Sequence, residues 1–151
     1  MQESKFCADK IEIVDFRIIK GQIESPFEFD MSAIDGHTFN VEFRMGFNIQ
    51  ESLVKADFKV FVETKSTVST AEEAKGSFHF VYTYYIHNLE ELATNNSEGL
   101  LDVDINLGNA LAAISHSTSR GVLMTRFQGT ALESFIMPVI DPKELLKRDL
   151  E

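Results

Sequence analysis

From Lys10 to Asn88 apolar residues recur at every second position, the period of a strand with one buried face. Four strands are read from it. The first runs from about Ile11 to Ile23; its alternation begins with Ile11 and Ile13, then moves to Val14, Phe16 and Ile18. Such a change of phase marks either a bulge or burial on both sides. The second, Thr38 to Ile49, sets Phe39, Val41, Phe43, Met45, Phe47 and Ile49 against Thr38, Asn40, Glu42, Arg44 and Asn48. The third places Val54, Ala56, Phe58, Val60 and Val62 opposite Lys55, Asp57, Lys59 and Glu63. The fourth collects Phe78, Phe80, Tyr82, Tyr84 and Ile86 on one side. Clean alternation predicts an antiparallel sheet with one covered face and one wet face, the wet one a candidate docking surface.

Strands two and three are joined by a short polar stretch at Gln50-Glu51-Ser52, as in a hairpin. The link from strand one to strand two, Glu24 to Gly36, is too long for that, and it carries Pro26, Phe27, Phe29, Met31 and Ile34. Apolar side chains in a surface connection either pack over the sheet or are held for a partner.

Past a polar stretch at Thr94 to Gly99 the period becomes helical, from Ile105 or Leu107 to Gln128, with Gly129 placed to end the helix. Its predicted packing stripe is Leu107, Leu111, Ile114, Thr118, Val122 and Thr125; alanines, serines and Gly121 nearby allow close approach of another backbone. The segment Phe135-Ile136-Met137-Pro138-Val139-Ile140 then leads to a short last helix at Lys143 to Leu150, capped by Asp141 with Pro142 in its first turn. The expected fold is thus α+β: a four-stranded antiparallel sheet with a long crossover after strand one, and a long and a short helix on one face.

The chain is 151 residues, the size of a single domain spanning 1–151, and its 13 Phe against 3 Tyr and no Trp put most aromatic surface where no polar handle is needed. A lone Cys7 excludes an internal disulfide, and no apolar run suits a signal peptide or a membrane span, so a cytoplasmic protein without membrane insertion is expected. The Asn95-Asn96-Ser97 acceptor pattern is then without consequence. A net charge of −10 argues against nucleic acid, whose phosphates are bound by Lys and Arg; by itself it is explained by solubility, and as a partner class it suits basic or unfolded polypeptides better.

Chemistry is sparse. His37, His79, His87 and His116 are scattered, and none pairs with Cys7 at zinc-site spacing. Glu72-Glu73, Asp102 and Asp104 are explained by solvation or helix capping, and the 8 Gly form no phosphate-cradling loop. In Ser115-His116-Ser117-Thr118-Ser119 helical neighbours point to different sides, so no nucleophile faces a base. No catalytic centre, metal site or cofactor is expected. The rival expectation is a small-ligand or enzymatic pocket under the long helix, lined by Phe43, Phe58, Phe80 and Tyr82.

The order of elements resembles the bacterial SecB protein-export chaperones, from about Lys10 to Leu146. Ile23-Glu24-Ser25-Pro26 is similar to that family's exit from strand one, and Gly76-Ser77-Phe78-His79-Phe80 to its glycine-led entry to strand four. Arg120, Gly129-Thr130 and the Phe135 to Ile140 segment echo the helix arginine, the Gly-Thr at the helix end and the apolar Pro-Val stretch. The resemblance implies an ATP-independent holdase for unfolded or precursor polypeptides, built as a homotetramer, a dimer of dimers paired through sheet edges. It also implies a client groove at Phe27, Phe29, Met31, Phe39, Phe135 and Met137. Glu24 and Glu72 become the acidic positions offered to the SecA motor, and Leu111, Ile114, Thr118 and Val122 the oligomer interface. Departures are Lys20 where a carboxylate is expected, Ser117 and Thr118 in place of Pro-Tyr before Arg120, and no acidic tail after Leu145-Leu146-Lys147-Arg148. They bear on delivery to the motor, so a client outside export, such as an antitoxin, is the variant reading.

Overall fold

Four long strands carry the two-residue period: β1 (Ile11–Glu24), β2 (Ile34–Asn48), β3 (Leu53–Ser66) and β4 (Lys75–Ile86). The computed structural model describes residues 5–68 and 72–149; residues 69–71 and both extreme ends, including the expected last helical residue Leu150, lie outside the described residues. A short helix α1 (Leu89–Leu92) and a small hairpin, β5 (Ala93–Asn95) with β6 (Leu101–Val103), lead to α2 (Ile105–Arg126), and α3 (Pro142–Asp149) follows.

The strand order is β1-β4-β3-β2, every pairing antiparallel. β1 and β2 therefore occupy opposite edges, and this explains the long first connection: residues 25–33 must cross the end of the sheet. Three strand spacings of ~4.8 Å need far less than the ~30 Å that these residues can span, so slack remains for side chains to be displayed. The crossover is shorter than the sequence predicted. Ile34 and Gly36 already pair with Ser66 and Lys65, which extends β2 backward to Ile34.

The register of β1 against β4 slips between Ile13 and Asp15 and again between Ile18 and Lys20, so the change of phase is a bulge, and a second one follows. In consequence Ile11, Ile13, Phe16 and Ile18 all stand beside the core-facing residues of β4.

Asp104 starts α2 by accepting from the backbone N–H of Asn106 (2.9 Å) and Leu107 (3.3 Å), and Gly129, at φ 75°, ends the turn after it in the left-handed region. Asp141 accepts from Lys143 N at 3.0 Å and so caps α3. Both helices cover the same face: Leu107, Leu111, Leu123 and Leu145 join Phe43, Phe58, Phe80 and Tyr84 in one core.

The packing stripe of α2 differs from the expected one. After Leu111 it follows Ser115, Ser119 and Leu123, while Ile114 and Val122 are half-buried flanks and Thr118 and Thr125 face outward. Hydroxyls occupy the core because β4 supplies the bulk there. The Tyr84 and Tyr82 hydroxyls lie 2.7 Å from Ser115 Oγ and Ser119 Oγ, so each buried polar group has its partner. Burial pushes the Tyr82 hydroxyl up to about 12, and Tyr84 is raised for the same reason. Gly76 is needed for close packing, since a Cβ there would sit 2.6 Å from Leu132 Cδ1.

Candidate polypeptide-binding surfaces

The crossover is held open rather than folded inward. Asp30 accepts hydrogen bonds from Ser32 N (3.0 Å) and Ser32 Oγ (2.6 Å), fixing a single 3-10 turn at Met31–Ala33, and these bonds lower the Asp30 carboxyl below its ordinary value. Just before that turn Phe27 stands at 102% exposure and Phe29 is half-buried, and within it Met31 is 45% exposed. Phe27, Phe29, Val68 and Pro26 line a furrow of about 520 Å³ whose polar wall is Glu28, Asp30 and Glu72. Two of the expected groove residues, Phe27 and Phe29, are thus brought together in one furrow, and Met31 stands in the turn that follows.

An acidic cleft adjoins it. Glu24, Glu63, Glu72 and Glu73 line a hollow of about 540 Å³ that shares Pro26 with the furrow and contains one cation, Lys75. Glu24 and Glu72, far apart in sequence, therefore share one site. Glu73 has a structural task besides. It accepts from Thr64 Oγ1 (2.6 Å), Ser66 N (3.1 Å) and Ser66 Oγ (3.1 Å), tying the start of β4 to the end of β3. The Thr64 hydroxyl bond is the main reason its carboxyl titrates below the usual value.

Phe39 lies on the second expected wall, partly exposed, with its ring 5.5 Å from that of Phe135. Phe135 and Met137 depart from the expectation: both are buried in the core of the chain, Phe135 also against Phe127 and His37. In the segment after α2 burial alternates from Phe135 to Pro138 and then breaks, and Ile136 and Val139 are its apolar residues that face outward. His116 fixes the segment through a 2.9 Å contact between Nε2 and the carbonyl oxygen of Pro138. His37, beside Phe135, is partly buried, and that burial lowers its imidazole below 6.5.

Leu111, expected at an oligomer interface, is fully buried within the chain's own core because it points at the sheet. Thr118 is exposed, and Ile114 and Val122 are in between. The rival pocket under the helix has no room: Phe43, Phe58, Phe80 and Tyr82 are packed core residues, and Tyr82 is bonded directly to α2. Among the described residues no three of His, Cys, Asp and Glu converge to hold a metal ion, and no helix is long and apolar enough to cross a membrane.

Sequence reasoning missed the exposure of β1. Ile13, Val14, Phe16 and Ile19 are all at least a third exposed, on an edge strand that neither helix covers. The phase change was visible in the sequence, but the position of the strand at an edge was not.

No family model and no curated protein matches the chain. Among solved structures it is similar to the SecB-like chaperone Rv1957 of Mycobacterium tuberculosis, solved in complex with a ChAD peptide from the HigA1 antitoxin. The two are 15% identical, with 88% of this chain and 91% of that one covered and a TM-score of 0.57. At that identity the likeness is one of fold alone.

Proposed function

We propose that the protein is an ATP-independent holdase that binds non-native polypeptides in the crossover furrow and keeps them unfolded, for export or for handover to another system. The observation that carries this reading is the display of Phe27, Phe29 and Met31 on a braced loop beside an acidic wall. Apolar contact there needs no fixed sequence, and the carboxylates favour client segments with basic residues. Phe39, Ile136 and Val139 extend the surface; Phe135 supports it from beneath. The fold neighbour was solved with an antitoxin peptide, which favours an antitoxin as client at least as much as an export precursor.

Assembly as a homotetramer belongs to the same proposal. The exposed edge strand β1 is self-complementary: two copies paired antiparallel about Phe16 would set Glu12 against Lys20 and Asp15 against Arg17. Thr118, with exposed Gly121 and Met124 and half-buried Ile114 and Val122, forms the outward side of α2 that a second dimer would meet. A cytoplasmic setting and docking of SecA at Glu24 and Glu72 complete the export version, with Lys20 as its weakest point.

Light scattering gives the assembly state, and suppression of aggregation of a chemically unfolded protein gives the activity. Phe27→Ser with Phe29→Ser should lose most of the suppression while the assembly persists. A monomer that leaves aggregation unchanged would falsify the reading.

A further inference from the structure

The outer face of the sheet, on the far side from both helices, has a charge arrangement of its own. Register across the four strands places Lys20, His79, Lys59 and Glu42 in one row, and Arg17, Val81, Asp57 and Arg44 in the next. These two central rows hold four Lys or Arg against two carboxylates, in a chain that carries 14 Lys and Arg against 24 Asp and Glu. Asp57 is engaged, 2.7 Å from His79 Nε2 and 3.9 Å from Lys55 Nζ. Among the described residues neither Lys20 nor Lys59 has a carboxylate within ion-pair distance, although Glu42 lies directly across from Lys59. Lys20 and Lys59 stand two strands apart with His79 between them, so an extended segment lying across the row could meet both ammonium groups.

The same place is apolar as well as basic. A furrow of about 400 Å³ runs over the row, and at it Phe61 is 41% and Ile19 58% exposed. Phe61 stands in the middle of the sheet, where a polar residue would be expected on a wet face. Ile19 is the bulged residue, which places it beside Lys20.

From this combination we infer that the outer face is a second docking surface, for an extended acidic polypeptide segment with an apolar anchor. The anchor sits between Ile19 and Phe61, and its flanking carboxylates meet Lys59 and Lys20. The sign of the charge assigns the occupant: the crossover furrow, walled by Glu28, Asp30 and Glu72, suits basic segments, and the outer face suits the opposite kind. The inference uses none of the crossover residues, and in the β1-paired assembly proposed above, where a second copy sets its Glu12 against Lys20, it rests on Lys59 and Phe61.

The test uses the intact protein and two short fluorescein-labelled peptides, one of Asp and Ser around a single Phe and its uncharged twin with Asn in place of Asp, read by anisotropy. The acidic peptide should bind at least roughly tenfold more tightly than its twin and weaken as salt is raised. Lys59→Gln with Phe61→Ser should abolish that difference while suppression of client aggregation stays at the wild-type level. Phe61→Ser alone, a change at an exposed position, serves if the double variant melts early. Equal binding of the two peptides, or unchanged binding by the variants, overturns the inference. Tighter binding of a labelled oligothymidylate than of the acidic peptide also overturns it, by assigning the face to nucleic acid.

Discussion

Phe43 and Phe16 lie on the same face of one sheet, yet Phe43 is 1% exposed and Phe16 is 37% exposed. The first lies on β2, on the stretch of sheet that α2 and α3 cover. The second lies on β1, beyond the reach of either helix, resting its ring 5.0 Å from that of Tyr82. Hydrophobicity does not separate the two regions; coverage does. Two helices are enough to seal three strands, and the fourth strand, together with the crossover that leaves it, keeps its apolar side chains at the surface. One side of the molecule is thus sealed while the other leaves apolar side chains exposed.

The sharpest way to break this comparison is to delete one side chain from each region. Leu111→Ala should cost ~2–5 kcal/mol in urea unfolding, because the site is walled by sheet and helix and collapses only in part. Phe27→Ser should move stability by no more than ~0.5 kcal/mol, as expected of an exposed position, and should reduce aggregation suppression instead. Equal destabilisation by both would show the crossover to be core.

A smaller effect sharpens the account of the sealed region. Tyr84→Phe leaves Ser115 without its buried partner and should cost ~1–2 kcal/mol in the same assay, with little change in client binding. If stability is unaltered, the hydroxyl pair is not what fits these serines to the core.

The smallest effect concerns the rim between the regions. Burial holds His37 below its ordinary 6.5, so the unfolded chain takes up a proton before the folded one does. Its contribution to stability is complete above pH 6.5 and declines as the pH falls through and below that value. Glu73, held below its ordinary 4.5, acts in the same sense at lower pH: its contribution is present above 4.5 and is lost as the pH falls beneath it. Urea midpoints should therefore drop from pH 7.5 to pH 5.5, and His37→Asn should flatten that part of the profile.

Much of the fold was legible because local rules and the final structure agree. The two-residue period gave four strands, Asp141 announced its helix as a cap, Asp104 was one of two carboxylates left between capping and solvation, and Gly129 ended α2 through a backbone conformation that glycine enters readily. The candidate site was legible in part. Phe27, Phe29 and Met31 were identified as apolar residues in a connection, a signal that needs no tertiary information. Phe135 and Met137 were misplaced because an extended segment shows which residues alternate but not which set turns inward. The hairpin at β5 and β6 was missed because its strands are three residues each, too short for a period to show.

By itself the sequence determined the type and order of the elements, since periodicity, caps and turns act over a few residues and are written locally. Only the tertiary structure decided which strands lie at the edges, that the packing stripe of α2 runs through Ser115 and Ser119, and that Lys20, His79 and Lys59 form one row. Each of these depends on register between segments distant in the chain, and register is set by how whole faces fit together.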